Sequence, residues 1–298
     1  MKNISITLLT LMVLPITACT LHPTPTQATL PNNPPTPPKP KIALVLGGGG
    51  AKGFAHIGML KVLEKNGIKP DLIVGTSVGS LVGSLSASGK SANDIEDIAT
   101  HVSNAELLDF TLSKQGIIEG VQLQNWVNTQ VGGRKIEQLP IRFASIATNL
   151  STTDLNAQKM VFTTGDTGLA VRASSSVKNV FIPPRIQNQR YGDGGLVSLV
   201  PVKTAKDLGA KVVIAVDLSM PVSVQDDSQM DFWALLDKGL GVMPKQPSAE
   251  LALADVVIRP QVGNVGTTDT VNRERIIKAG ETATEQKIAE IKRVVGKN

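Results

Sequence analysis

A serine between two glycines, in residues 75–79 (Gly-Thr-Ser-Val-Gly), is the first feature of the sequence that could carry out chemistry. The apolar residues 72–74 before it predict a buried strand, and the small residues 80–87 after it predict a helix. A serine on so tight a turn projects past the strand end, beside free N–H groups at the helix start. An ordinary glycine- and serine-rich loop fits the five residues alone, but it does not explain their surroundings. We therefore expect Ser77 to be a strained, solvent-exposed nucleophile.

A second glycine-rich segment, residues 47–53, follows an apolar strand predicted at residues 41–46 and precedes a helix that ends near Gly67. Two chemistries could use this segment. Residues 48–53 match the G-x-G-x-x-G pattern of dinucleotide-binding loops. Alternatively, bare backbone N–H groups could stabilise a developing negative charge, as in an oxyanion hole.

The neighbouring strand favours the oxyanion hole. Parallel strands place their carboxyl ends side by side, so residues 47–53 and Ser77 should share one cleft. A nucleotide site has no use for an exposed serine there, whereas a serine hydrolase needs this pair. Lys52 is followed by Gly53 and not by Ser or Thr, which argues against a Walker-type phosphate loop. The nucleotide alternative predicts that added nucleotide raises the melting temperature.

A serine nucleophile also needs a proton acceptor. The chain has three histidines. His22 lies in a proline-rich segment, His101 in a polar helical stretch, and His56 in the helix after the glycine loop, where packing is favoured over contact with Ser77. The stronger candidate is Asp193, because glycines on both sides let its carboxylate approach another backbone closely. An Asp-Gly hairpin turn is the alternative for this segment.

Taken together, residues 48–53, 75–79 and 193–195 resemble the three motifs of the patatin-like phospholipase family, and residues 43–60 are especially similar to bacterial members. The resemblance covers residues 41–217 well and the remainder more loosely. It implies an α/β fold, a three-layer α/β/α sandwich with a mainly parallel central sheet. It also implies hydrolysis of lipid acyl esters by a Ser–Asp dyad, without histidine, metal or cofactor.

The resemblance carries specific roles onto this sequence. Ser77 is expected to be the nucleophile and Asp193 the general base. The expected oxyanion donors are Gly48, Gly49 and Gly50. The residues expected to support the motifs are Lys52, Gly53, Gly75, Gly79, Gly194 and Gly195. Many members have arginine at the position of Lys52 and alanine at that of Gly195, and both departures lie within the family's range.

The N-terminal segment reads as an export signal of lipoprotein type. Lys2 precedes an apolar stretch at residues 4–16 that is too short to span a bilayer, and small residues then lead into the only cysteine, Cys19. We expect residues 1–18 to be removed and Cys19 to carry acyl chains such as palmitate; an ordinary secretory signal is the alternative. Residues 19–40 are rich in proline and predict an extended tether, which leaves residues 41–298 as the hydrolase domain.

The expected location is the cell envelope, with the lipid anchor in a membrane. Thr20, rather than aspartate, follows the cysteine and favours the outer membrane, with the domain facing the periplasm. The net charge of +5 is not gathered into a basic stripe, so no nucleic-acid partner is expected. The expected partners are a phospholipid substrate and the membrane, and the oligomeric state stays open.

Between the motifs, the apolar pattern predicts helices at residues 91–100, 120–131, 201–208 and 271–295, and a weak one at 228–239. Strands are predicted at 141–148, 158–162, 189–191, 211–216 and 255–259. Five apolar residues could line an acyl groove, although burial in the core is favoured for them. They are Leu107, Leu108, Phe110, Ile117 and Ile118.

These observations predict a membrane-anchored serine acyl hydrolase of phospholipase A or lysophospholipase type. A thioesterase or transacylase of the same fold would use the same groups. A non-catalytic lipid-binding lipoprotein is the alternative from another class. Labelling of Ser77 by a fluorophosphonate separates an enzyme from a binding protein.

Overall fold

The computed structural model of the chain describes residues 41–219, 249–263 and 270–296. The strands in these ranges are β1 (Ile42–Leu46), β2 (Leu72–Thr76), β3 (Arg142–Asn149), β4 (Lys159–Phe162), β5 (Arg185–Ile186), β6 (Gln189–Asp193), β7 (Val212–Val216) and β8 (Val256–Ile258). The α-helices are α1 (Phe54–Lys65), α2 (Val78–Ala87), α3 (Ala92–His101), α4 (Asn104–Leu107), α5 (Val121–Gln130), α6 (Leu155–Gln158), α7 (Thr167–Ser174), α8 (Val202–Asp207) and α9 (Thr270–Val295).

The described strands form one sheet in which hydrogen-bonded neighbours follow the order β5-β6-β3-β2-β1-β7-β8, and β4 also pairs with β3. Strands β1, β2, β3, β7 and β8 are parallel, while β4 and β6 run antiparallel to β3. The glycine loop follows β1 and Ser77 follows β2, so both lie at the carboxyl edge of the sheet, as the sequence predicts.

Strand β3 brings two distant segments together on one of its sides. Ile146 pairs with both Thr76 of β2 and Val161 of β4, so β2 and β4 lie on opposite sides of β3. Ala147 pairs with β4 and with Asp193 of β6, which places β6 on the same side as β2. The end of β6 therefore meets the end of β2, and Asp193 lies directly beyond Thr76.

The sheet is buried on both faces, which explains why β1 is apolar at every position. Ile42, Leu44 and Leu46 belong to the larger core cluster, which includes residues of α1, α2, α3 and α9. Ala43 and Val45 belong to a second cluster on the opposite face, with residues of α8. The prediction of a three-layer α/β/α fold with a mainly parallel sheet is confirmed.

The predicted elements that lie in the described ranges are present, with ends within two residues of the predicted ones, and β6 runs on to Asp193. The short elements α4, α6, α7 and β5 were not predicted. The chain reverses sharply after Asp193 through a 3₁₀ turn at Gly194–Leu196. The signal segment, the tether with Cys19 and the weak helix at 228–239 lie outside the described residues, so these predictions stay as they are.

Of the five residues considered for an acyl groove, Leu107, Leu108 and Ile118 are buried in the core, as favoured, whereas Phe110 and Ile117 are exposed. Within the described ranges, no helix combines the length and apolar character needed to span a membrane. The same residues contain no group of three or more His, Cys, Asp or Glu that could bind a metal ion.

Candidate active site

Ser77 occupies the turn between β2 and α2 in a strained conformation. Its backbone has φ 55° and ψ −124°, which is rare for a residue other than glycine. The buried Ser77 N–H donates a hydrogen bond of 2.8 Å to Ser174 Oγ. The glycines on either side are required sterically: a Cβ on Gly75 would overlap the Gly79 carbonyl oxygen, and one on Gly79 would overlap that of Leu46. The predicted elbow geometry is therefore present.

The prediction that Ser77 is exposed to solvent is wrong. The residue is 0% exposed, and its Oγ is inaccessible to water. The turn does carry the side chain past the end of β2, but other segments pack over it. The Leu199 side chain lies over Gly48 and that of Leu218 over Gly49.

Asp193 is held rigidly by its backbone and by one carboxylate oxygen. Its N–H donates to the Ser176 carbonyl at 2.9 Å, and its own carbonyl accepts from Thr148 Oγ1 at 2.7 Å. The Gly195 N–H donates to Asp193 Oδ1 at 2.7 Å, while Oδ2 has no hydrogen-bond partner in the described chain. Full burial raises the pKa of Asp193 to about 7, and the Ser77 hydroxyl and the Gly195 N–H lower it by smaller amounts.

Ser77 and Asp193 are brought together, although they do not form a hydrogen bond of ordinary geometry. The hydroxyl is near enough to lower the carboxylate pKa, yet neither Ser77 Oγ nor Asp193 Oδ2 makes a hydrogen bond within the described chain. The two groups are therefore adjacent but unbonded in this structure. Such pairs are often loose in the free enzyme and tighten when substrate binds.

The glycine loop lies directly against Ser77, because a Cβ on Gly48 would stand 3.4 Å from Ser77 Cβ. Its three predicted oxyanion donors are not equivalent. The Gly48 N–H already donates to the Leu199 carbonyl at 3.0 Å. The N–H groups of Gly49 and Gly50 make no hydrogen bond within the described residues. Only these two of the three are free to bind an oxyanion in this arrangement.

His56 helps to hold the glycine loop in place. This histidine is fully buried, and its Nε2–H donates to the Gly47 carbonyl at 2.8 Å. Burial lowers the pKa of His56 to about 4, which outweighs the opposing effect of this hydrogen bond, so the ring is neutral near pH 7. The structure thus agrees with a packing role for His56 and shows no hydrogen bond from it to Ser77.

The remaining motif residues pack closely around the pair. A Cβ on Gly53 would overlap the Val78 side chain, and one on Gly194 would overlap the Ile146 carbonyl oxygen. Lys52 is half-buried in the 3₁₀ turn at Gly50–Gly53. Gly195 donates its N–H to Asp193 Oδ1.

Sequence reasoning missed the part played by Ser174. Nothing in the pattern of small residues at 171–176 indicates a contact with the Ser77 backbone. Through that contact, Ser174 satisfies the buried N–H of Ser77 itself. Ser174 is therefore a positioning residue for Ser77.

Replacing Ser174 by alanine is expected to lower kcat about tenfold and to leave KM nearly unchanged, because an unsatisfied Ser77 N–H lets the turn relax. Ser174→Thr, which keeps the hydroxyl, should restore part of the rate. The matched control is Ser176→Ala, whose hydroxyl bonds only to the Arg172 carbonyl one turn earlier. Steady-state kinetics check this, and a change in KM alone would contradict it.

The fold and site define the chain as an α/β protein with a nucleophile elbow and an adjacent buried aspartate. The family model for patatin-like phospholipase matches residues 44–206. The chain belongs to the patatin-like phospholipase family, a family of lipid ester hydrolases, and the resemblance seen in the sequence is confirmed.

Several curated proteins are similar to this chain. It is 33% identical to an uncharacterized NTE family protein of Mycobacterium tuberculosis, over 60% of this chain and 49% of that protein. It is 32% identical to human patatin-like phospholipase domain-containing protein 6, over 65% of this chain and 15% of that protein. Lysophospholipase NTE1 of Meyerozyma guilliermondii is 29% identical, over 80% of this chain and 18% of that protein. The chain thus spans half or less of these relatives.

Among solved structures, VipD from Legionella pneumophila is similar with a TM-score of 0.56. The match covers 84% of this chain and 66% of that one at 15% identity. At this level of identity the similarity supports the fold alone.

Proposed function

We propose that this protein hydrolyses acyl esters of phospholipids or lysophospholipids, with Ser77 as nucleophile and Asp193 as general base. The observation that carries the proposal is the meeting of Ser77 with a buried carboxylate whose pKa is raised to about 7. A carboxylate of this pKa is a far better proton acceptor near neutral pH than an ordinary aspartate. The family and the lysophospholipase among its relatives support a lipid substrate.

In the proposed mechanism, Ser77 Oγ attacks the acyl carbonyl carbon as its proton passes to Asp193 Oδ2, the oxygen without a partner. The carbonyl oxygen becomes an oxyanion that the N–H groups of Gly49 and Gly50 bind. The tetrahedral intermediate expels the lipid alcohol, which takes the proton from Asp193. A water molecule then attacks the acyl-enzyme, giving its proton to Asp193, and the fatty acid leaves as Ser77 is reprotonated.

Membrane anchoring is a separate part of the proposal. Cleavage before Cys19 and acylation of its thiol would hold the domain on a membrane of the cell envelope through the tether of residues 19–40. Mass spectrometry of the protein extracted from membranes checks this, because an unmodified Cys19 would remove the anchor.

The test of the catalytic proposal is labelling by a fluorophosphonate together with hydrolysis of a lysophospholipid. We expect labelling at Ser77, and Ser77→Ala should abolish it and lower the hydrolysis rate by about 10³-fold or more. The matched control is Ser88→Ala near the end of the same helix, where the hydroxyl bonds only to the Leu85 carbonyl. This variant should keep both labelling and activity.

A non-catalytic lipid-binding protein is the second candidate, and the complete burial of Ser77 is the observation that favours it. A binding protein would stay unlabelled and would release no fatty acid, even in the presence of lipid that opens the site. If the acyl group instead passes to a second alcohol or comes from a thioester, the same site serves a transacylase or thioesterase.

A further inference from the structure

The large apolar side chains that remain exposed are gathered at one edge of the molecule. In the described residues they are Phe110, Leu112, Ile117, Val121, Leu150, Leu155, Leu196 and Leu253. Leu253 precedes β8 and lies at the amino edge of the sheet. The other seven lie at the carboxyl edge, where Ser77 and Asp193 meet. Scattered surface leucines would not be segregated in this way.

The chain topology supports this placement. Leu150 follows the end of β3, and Leu155 lies in α6, which leads into the antiparallel β4. Leu196 lies between Asp193 and Leu199, whose carbonyl binds the glycine loop.

Phe110, Leu112 and Ile117 lie on one segment, residues 109–119, in which residues 112–115 are all exposed. Thr111 N–H donates to the Ile117 carbonyl at 2.9 Å, which closes the segment into a hairpin. Ile117 N–H donates to the Val180 carbonyl at 2.9 Å, so the hairpin is attached to the chain that follows α7. Leu112 is 105% exposed and Phe110 58%.

Four basic residues accompany this hairpin: Lys114, Lys178, Arg185 and Arg190. Lys114 is at its tip, and Arg190 Nη2 donates to Gln115 Oε1 at 3.5 Å. Lys178 and Arg185 flank residues 180–182, which pair with the hairpin. None of the four cations makes an ion pair with any residue that the structure describes.

The acidic groups nearby do not neutralise these cations. The Asp109 carboxylate accepts hydrogen bonds from the N–H groups of Gly120, Val121 and Gln122 at the start of α5, which compensates its charge. Glu119 is exposed, and its charge faces Arg172. We define the edge patch as the surface formed by these cations and the hairpin's exposed apolar residues: Phe110, Leu112, Ile117, Lys114, Lys178, Arg185 and Arg190.

We propose that the edge patch is a docking surface for an anionic phospholipid bilayer. Phe110, Leu112 and Ile117 enter the interfacial region, and the four cations bind headgroup phosphates. A few apolar side chains on one hairpin, flanked by basic side chains, suit a fluid anionic surface, whereas a protein partner requires a broad complementary face. Docking would bring the edge that bears Ser77 against the lipid. The delivery of lipid to Ser77 rests on the proposed function, whereas binding of the bilayer to the edge patch does not depend on it.

The test places an environment-sensitive fluorophore on Leu112→Cys in the full chain, with Cys19→Ser to remove the only native thiol and Ser77→Ala to prevent turnover. The matched control carries the fluorophore on Leu253→Cys, an exposed leucine at the opposite edge. Vesicles of equal parts phosphatidylglycerol and phosphatidylcholine should shift the emission of the label at 112 to the blue and leave that at 253 unchanged. Both proteins share the N-terminal apolar stretch, so it cannot cause the difference.

Two further variants test the basic residues and the link to catalysis. The double variant Lys114→Gln with Arg190→Gln should need about ten times more vesicles to reach half of the maximal emission shift of the label at 112. In the active chain, Leu112→Glu should slow hydrolysis of vesicle lipid about tenfold and leave hydrolysis of a soluble short-chain ester unchanged.

Equal emission shifts of the labels at 112 and 253, or no shift of either, would overturn the proposal that the edge patch docks on a bilayer. A blue shift at 112 that grows with protein concentration in the absence of vesicles would overturn it as well, because the patch would then bind a second copy. These outcomes are independent of catalysis. Insertion at 112 in a chain whose active form releases no fatty acid would refute the proposed function and leave the docking surface intact.

Discussion

Replacing Asp193 by asparagine is expected to lower kcat/KM for ester hydrolysis by about 10³-fold, because asparagine cannot accept the Ser77 proton. Asparagine keeps the shape of the side chain and an oxygen for the Gly195 N–H. The folded site should therefore survive, and the loss should appear mainly in kcat. Hydrolysis of a soluble ester by purified protein measures it.

The wild-type rate should depend on pH through the same carboxylate. The pKa of Asp193 lies at about 7, so kcat/KM should fall as pH drops through that value and the base becomes protonated. Above it the rate should reach a plateau. A profile that stays flat down to the ordinary aspartate pKa would mean that another group accepts the proton.

The same substitution should stabilise the folded chain in mildly alkaline buffer. Since burial raises the folded-state pKa of Asp193 from 3.8 to about 7, its protonated form favours folding. That contribution is complete below about pH 4 and is lost as pH rises through about 7. The difference corresponds to about 4 kcal/mol at full ionisation. Asp193→Asn should thus unfold at higher urea than wild type above pH 7, and the gain should vanish towards pH 4.

Gly79→Ala is expected to have the largest effect on folding, with a loss of about 3 kcal/mol or more in the free energy of unfolding. The new Cβ would overlap the Leu46 carbonyl oxygen, which belongs to the backbone of β1 and cannot move without disturbing the sheet. Urea unfolding followed by circular dichroism measures the loss.

Gly83→Ala provides the matched control one turn further along α2. There the nearest atoms are side-chain carbons, with Ile73 Cγ2 at 3.0 Å and Phe143 Cε2 at 3.3 Å, and alanine is the better helix former. We expect a change below about 1 kcal/mol at this position. Equal effects of the two substitutions would show that the contact with β1 does not explain the need for Gly79.

The sequence by itself determined the parts of this protein that depend on local spacing. The glycines around Ser77, the strand before it and the small-residue helix after it are neighbours in the chain, so their pattern predicted a strained turn, and the backbone of Ser77 has one. The apolar runs of β1 and β7 likewise predicted a buried parallel sheet. The three motifs together were sufficient to indicate the family.

Only the tertiary structure decided what surrounds those motifs. Three features of the site depend on residues about a hundred or more positions away along the chain. They are the covering of Ser77, the hydrogen bond from the Gly48 N–H to Leu199, and the hydrogen bond from the Ser77 N–H to Ser174. The exposure of Phe110 and Ile117 beside a buried Ile118 depends on how one hairpin packs against residues 180–182. Such contacts arise when β6 and the chain after α7 close over the sheet. The spacing of residues along the sequence does not predict them.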